Sequence, residues 1–212
     1  MSSFLFSAHK NIECITCHPG AAAHVQSGGL GGDLINPANG PLEASFSACA
    51  GCHESQVTEY VQSVHYTSRR VACYDCHDVH SPLETKGPFK NNLLCISCHV
   101  ADGFTSNAAV EQHTFHPVDP SGTGESRCTL CHMPPKGRTD QDDGPHDHTF
   151  ATLPPSYSAD AANNGVTPVP PNSCAGTIGC HDGTTPNTPV FDVDDPAQMN
   201  ALQAIYDFWF TS

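Results

Sequence analysis

Apolar positions along this 212-residue chain seldom fall into phase. The clearest exception is residues 54–66, where Val57, Tyr60, Val61 and Val64 recur at helical spacing and predict one amphipathic helix. His65 borders that stripe, so it points either at a group packed there or at solvent. A second stripe, Leu202, Ile205, Tyr206 and Trp209, predicts a C-terminal helix over 195–210. Asp195 suits its N-cap, Pro196 its first position, and Gln198 the place of a capping-box partner. Residues 107–113 read as a short helix capped by Ser106 or Asn107. Little or no β structure is expected. Elsewhere Pro, Gly and polar residues dominate: a Gly28–Gly32 loop, a connection over 81–94, and a long wrapping segment over 132–173 without cysteine.

Against this weak periodicity stands a strong motif. Cys73-Tyr74-Asp75-Cys76-His77 has two cysteines separated by two residues and a histidine directly after the second, the spacing of c-type haem attachment. The thiols form thioethers to the porphyrin, and the adjacent histidine is placed to ligate the iron. The pattern recurs at Cys14/Cys17/His18, Cys49/Cys52/His53, Cys95/Cys98/His99 and Cys128/Cys131/His132. A stretched sixth version, Cys174/Cys180/His181, has five residues between the thiols. All 12 cysteines fall into these six pairs. Disulfides, zinc knuckles or a thioredoxin-like motif do not explain a histidine after every second cysteine. For the stretched motif, a local disulfide followed by an ordinary histidine is the alternative.

The histidine supply suits six haems. Beyond the six motif histidines, eight of the 14 remain: His9, His24, His65, His80, His113, His116, His146 and His148. The expected distal ligands are His9, His24, His65, His80, His116 and His148. His116 is preferred to His113 because Pro117 holds it more rigidly, and His148 to His146 because Phe150 can pack beside its ring. Met133 follows His132 too closely to reach the opposite face of the same iron.

Six haems leave about 35 residues each, too few for a conventional apolar core around every cofactor. The expected fold is therefore mostly irregular coil with a few short α-helices, packed around porphyrins as a single domain over 1–212. Helix content should lie well below about one-third. The aromatic end Phe208-Trp209-Phe210 would pack on the chain's own haem or on another subunit. A net charge of −14 makes nucleic acid an unsuitable partner. No run of about 20 apolar residues exists to span a membrane. No signal sequence is evident, yet haem attachment requires export, so the numbering is expected to start near a processed or truncated end.

The run Ser63-Val64-His65, Cys73 to His80, His116-Pro117, Cys128 to Pro134 and Asp147 to Phe150 resembles the multihaem c-type cytochromes of anaerobic respiration. It is similar to nitrite-reductase-associated and decahaem periplasmic carriers, and to surface cytochromes that polymerise into extracellular filaments. The resemblance covers about residues 45–150 and implies that His65, His80, His116 and His148 are distal ligands. The nitrite reductases mark their open iron with Cys-x-x-Cys-Lys, which does not occur here, since Lys10, Lys86, Lys90 and Lys136 follow no cysteine pair directly. The expectation is electron transfer through six closely packed bis-histidine haems at low potential, not enzymatic catalysis. The chain would act as the head-to-tail subunit of an extracellular filament, with His9 ligating an iron of the next subunit. Alternatives are a soluble periplasmic shuttle to redox partner proteins, or a reductase with one open iron.

Overall fold

A computed structural model of the chain describes residues 4–30, 34–82, 92–119, 124–140 and 144–210. The connection over 81–94 and the second half of the glycine loop lie largely outside these residues. Two compact units emerge, Met1–Phe89 and Lys90–Ser212, where the sequence suggested one domain. Short helices joined by irregular chain build both units. No strand forms among the described residues, which contain only the isolated bridges Pro135–His146 and Asp140–Ile178.

Unit 1 contains α1 (Cys14–Cys17), α2 (Ala21–Gln26), α3 (Leu42–Ala50), α4 (Glu54–Tyr60), α5 (Val64–Thr67) and α6 (Cys73–Cys76). The single helix expected over 54–66 is broken after Tyr60. Ser63 is the cause: its hydroxyl donates to the Tyr60 carbonyl at 2.7 Å and accepts from the Tyr66 amide at 3.1 Å, so it caps a new helix. The break turns the apolar stripe apart. Tyr60 is buried, whereas Val64 is 80% exposed. Tyr60 instead packs with Phe46 and Tyr66, their ring centroids 5.5 and 6.4 Å away.

Unit 2 contains α7 (Leu93–His99), α8 (Asn107–Thr114), α9 (Cys128–His132), α10 (Pro155–Asn163) and α11 (Pro196–Phe210). The caps of α8 and α11 are those read from sequence. Ser106 accepts from the Ala109 amide, and Asp195 accepts from the Ala197 amide at 2.9 Å. Gln198 differs in detail, since its amide donates to the Asp195 carboxylate and accepts from the Asp192 N–H. Helix α10 lies in the supposed wrapping segment. Pro155 at its first turn and Asn164-Gly165 beyond its end are the signals for it.

Helices α10 and α11 pack together, burying Ala159, Val169, Ala175, Val193, Met199 and Leu202 in an apolar core. This corrects the expectation that porphyrins alone would form the interior. Thr152 and Tyr206 share a 2.6 Å hydroxyl contact, and the Ser156 amide donates to Gln203, so α11 is tied to its own unit. Asn172 lies in this core, where its Oδ1 accepts from the Cys174 and Ala175 amides and pins the start of the stretched motif. Gly176 follows at φ +93°, where a Cβ would stand 2.9 Å from the Pro171 Cα. Only glycine fits there.

Helix accounts for 46% of the described residues, above the expected fraction although most of the chain is irregular. The cysteine motifs supply part of the excess, and α10 adds a helix in the supposed wrapping segment. A Cys-x-x-Cys pair closes one helical turn and sets both side chains on one face.

Candidate haem-binding sites

The five regular motifs each lie on, or at the end of, a helical turn: α1, the end of α3, α6, α7 and α9. The stretched motif has no helix and closes through left-handed Gly176 and Gly179. None of the 12 cysteines is joined in a disulfide, including Cys174 and Cys180.

Neighbouring attachment points touch within each unit. The Cys73 thiol donates to the Cys49 sulfur, which lowers the Cys49 pKa to about 7 and pushes Cys73 up. In unit 2 a thiol hydrogen bond likewise lowers Cys128 and raises Cys95. Burial pushes Cys131 to about 12 and Cys174 to about 11; Cys174 and Cys180 beside Cys131 reinforce its shift. No group of three or more His, Cys, Asp or Glu is placed to hold a metal ion among the described residues.

In three of the six pairs the two thiols are not equally covered. Cys14, Cys52 and Cys98 are exposed, and the other nine are partly covered. In the second and fourth motifs the first cysteine, Cys49 or Cys95, is the one that meets a neighbouring motif, which leaves Cys52 and Cys98 at the surface. Cys52 also lies past the end of α3, on a turn closed by its own amide donating to the Cys49 carbonyl at 3.1 Å. Cys98 stays on α7, where its sulfur accepts from the Ser97 hydroxyl at 3.9 Å. Exposure keeps both thiols open to thioether formation, so their place in the motifs is unchanged.

Three side chains set the contacts between motifs. Tyr60 donates from its hydroxyl to the Val71 carbonyl at 3.0 Å, tying α4 to the segment that leads into Cys73. Asn92 donates to the Ser126 carbonyl at 2.9 Å and accepts from the Cys128 amide at 2.8 Å, joining the start of α7 to the start of α9. Ser173 donates to the Cys131 carbonyl at 2.7 Å and accepts from the Leu153 amide, joining the fifth and sixth motifs.

His18, His53, His132 and His181 each lie close to a second imidazole. The ring centroids are 6.0 Å apart for His18 and His80, 6.0 Å for His9 and His53, 6.2 Å for His113 and His132, and 6.2 Å for His116 and His181. A metal–imidazole bond is about 2.0 Å, and the ligating nitrogen lies about 1.1 Å from the ring centre, so two axial rings should stand about 6.2 Å apart. The four spacings fit one iron between each pair. The planes differ, meeting at 11° for His18/His80, 5° for His113/His132, 53° for His9/His53 and 71° for His116/His181.

Backbone acceptors orient many of the rings. Nδ1 contacts a carbonyl at His18 (Ile35, 3.1 Å), His132 (Phe150, 3.1 Å), His181 (Pro189, 2.8 Å) and His116 (Thr114, 2.6 Å). His146 and His148 use the Met133 and His146 carbonyls, and His99 the Asp102 carboxylate. These oxygens only accept, so Nδ1 carries the proton and Nε2 keeps the lone pair that a metal needs.

Sequence reasoning set His113 aside in favour of His116, but the structure brings each opposite a different motif histidine. Phe115 separates them in a left-handed conformation at φ +57° and reverses the chain between the two rings. Nothing in the local sequence marks that reversal. Within this chain His9 lies 6.0 Å from His53, which matches the alternative that it serves its own subunit. The other histidines are His24, His65 and His77 in unit 1, and His99, His146 and His148 in unit 2. Each unit thus contains one further motif histidine and two further imidazoles. Burial depresses the pKa of His113, with the His132 charge adding to the shift.

No family model and no solved structure matches the chain. It is 26% identical over 141 residues to the multiheme cytochrome MtrA of Shewanella baltica (strain OS185), covering 64% of this chain and 39% of that protein. The chain spans about two-fifths of that relative's length. The similarity supports reading the motifs as the haem sites of a multihaem c-type cytochrome.

Proposed function

We propose that this chain carries six c-type haems, including one on Cys174 and Cys180, and conducts electrons between redox partners outside the cytoplasmic membrane. The facing of His116 and His181 at 6.2 Å carries this reading, because a stretched motif that formed only a disulfide would need no opposing imidazole. The bound haem supplies one-electron storage at iron. The chain's own residues attach it through paired thiols, hold two imidazoles at axial spacing, and keep consecutive attachment points adjacent within each unit. The axial pairs are His18/His80, His9/His53, His113/His132 and His116/His181. His77 takes His24 or His65, and His99 takes His146 or His148. Two axial ligands at every iron exclude substrate, which favours a carrier over an enzyme. No helix among the described residues is long and apolar enough to cross a membrane.

Intact mass of the haem-loaded chain tests the count. Six haem additions are expected, together with a wholly low-spin spectrum; five additions would remove the stretched motif from the set. Head-to-tail assembly into an extracellular filament is a second reading. Its support is the aromatic end of α11, where Phe208 is 67% and Trp209 51% exposed. Electron microscopy of the loaded protein decides it, since particles that remain monomeric at high concentration leave a soluble carrier.

A further inference from the structure

We propose that ring orientation sorts the four irons between these imidazole pairs into two electronic classes, and that in each unit the crossed-ring site is reduced before the parallel-ring site. Parallel rings occur at His18/His80 and His113/His132, at 11° and 5°. Crossed rings occur at His9/His53 and His116/His181, at 53° and 71°. The inference rests on the reading that each pair holds a haem iron.

The physical argument concerns the iron d orbitals that meet the axial rings. An imidazole donates π density perpendicular to its own plane. Two parallel rings therefore raise the same member of the near-degenerate d pair. Two crossed rings each raise a different member, and the pair stays close in energy. Ferric low-spin iron has one vacancy in this set, and it settles in the raised orbital. Parallel rings thus stabilise the ferric state, whereas ferrous iron fills both orbitals and gains nothing. A parallel site holds its extra electron less firmly than a crossed one. Axial geometry and the hydrogen bonds beyond it are the protein's means of setting haem potentials.

The chain fixes these planes through separate anchors. His116 is held by the carbonyl of Thr114 in its own turn, while His181 is held by Pro189 eight residues along and packs edge-on to Phe191 at 5.7 Å. At the parallel site of the same unit, His132 is held by the Phe150 carbonyl, and His113 lies edge-on to Phe104 at 83°. The planes at one iron therefore come from different elements and are set by the fold. Of these two sites in unit 2, the one on the stretched motif holds the electron more firmly.

Electron paramagnetic resonance of the fully oxidised, haem-loaded chain tests this directly. Two low-spin signals are expected: a rhombic one with three resolved features from parallel sites, and a broad low-field one from crossed sites. During stepwise reduction the low-field signal should disappear at the higher potential. His116→Ala should diminish the low-field signal and His113→Ala the rhombic one. A single class of signal, a rhombic component that is reduced first, or either variant removing the other's signal would overturn the proposal. The titration uses the unsubstituted protein, so it stands whether or not the variants fold. Absence of low-spin haem altogether would instead defeat the six-haem reading beneath it.

Discussion

Asn92 is the most informative single residue to perturb, because one side chain ties two attachment helices together. Its amide donates to the Ser126 carbonyl at 2.9 Å, and its Oδ1 accepts from the Cys128 amide at 2.8 Å. Asn92→Ala removes both bonds and strands two partly buried backbone groups. Each loss costs about 1 kcal/mol, so the variant should be destabilised by about 2 kcal/mol. For a chain of this size that corresponds to a fall in Tm of roughly 4–8 °C. Asn92→Asp keeps the acceptor for Cys128 but sets a carboxylate against the Ser126 carbonyl, so it should recover only part of the loss. The assay is reversible thermal unfolding of the haem-loaded protein, followed by far-ultraviolet circular dichroism and by haem absorbance, with mass spectrometry confirming an unchanged haem count. A melting curve for Asn92→Ala within about 0.5 kcal/mol of the parent would refute the clamp, since that is the ordinary range for a surface substitution.

Further predictions concern an axial ligand and a charge pair. His113→Ala should convert one haem to the high-spin state and leave the others low-spin by visible absorption, whereas only one of His146→Ala and His148→Ala should do so. Unchanged spectra for His113→Ala would remove it as a ligand. Arg138 donates to both carboxylate oxygens of Asp194, one contact being 2.7 Å, and holds the Asp194 pKa below the carboxylate range. A depressed carboxylate stabilises the fold above its unfolded pKa of about 4, and the contribution disappears as pH falls through the lowered folded value. Asp194→Asn should therefore cost about 0.5 kcal/mol at neutral pH, in keeping with a largely exposed pair, and nothing in strong acid. A cost that persists in strong acid would show that the carboxylate's charge is not responsible.

What the sequence alone determined is whatever is written contiguously. Two thiols one helical turn apart and the histidine beside them fall within five residues, so backbone geometry places them together without help from the rest of the fold. The caps of α8 and α11 were legible for the same reason, because Ser106 and Asp195 bond to amides only two or three residues ahead. Even locally, competition can mislead. Val57, Tyr60, Val61 and Val64 are correctly spaced for one helix, but the Ser63 hydroxyl offers the backbone a cap and splits it. Helix α10 was obscured because it is built from small and polar residues, while its Pro and Asn-Gly boundaries read equally well as loop.

Which imidazoles lie near one another was decided by tertiary structure. His9 meets His53, His18 meets His80, and His116 meets His181 across many residues of intervening chain, so proximity to a motif carried no information about which ring would stand opposite. The same holds for the thiols, since which member of a pair is covered, Cys49 rather than Cys52 and Cys95 rather than Cys98, depends on where the next motif packs. Preferring His116 over His113 assumed that two imidazoles three residues apart compete for one iron. The left-handed turn at Phe115 removes that competition by aiming them at different sites. Ring planes lie further still from the sequence. The rotation of a histidine about its own axis depends on which carbonyl accepts from Nδ1, and Ile35, Phe150 and Pro189 reach those positions only when the loops that carry them are folded. The number of attachment sites is therefore a property of the written motif, while the pairing and orientation of the rings belong to the packed chain.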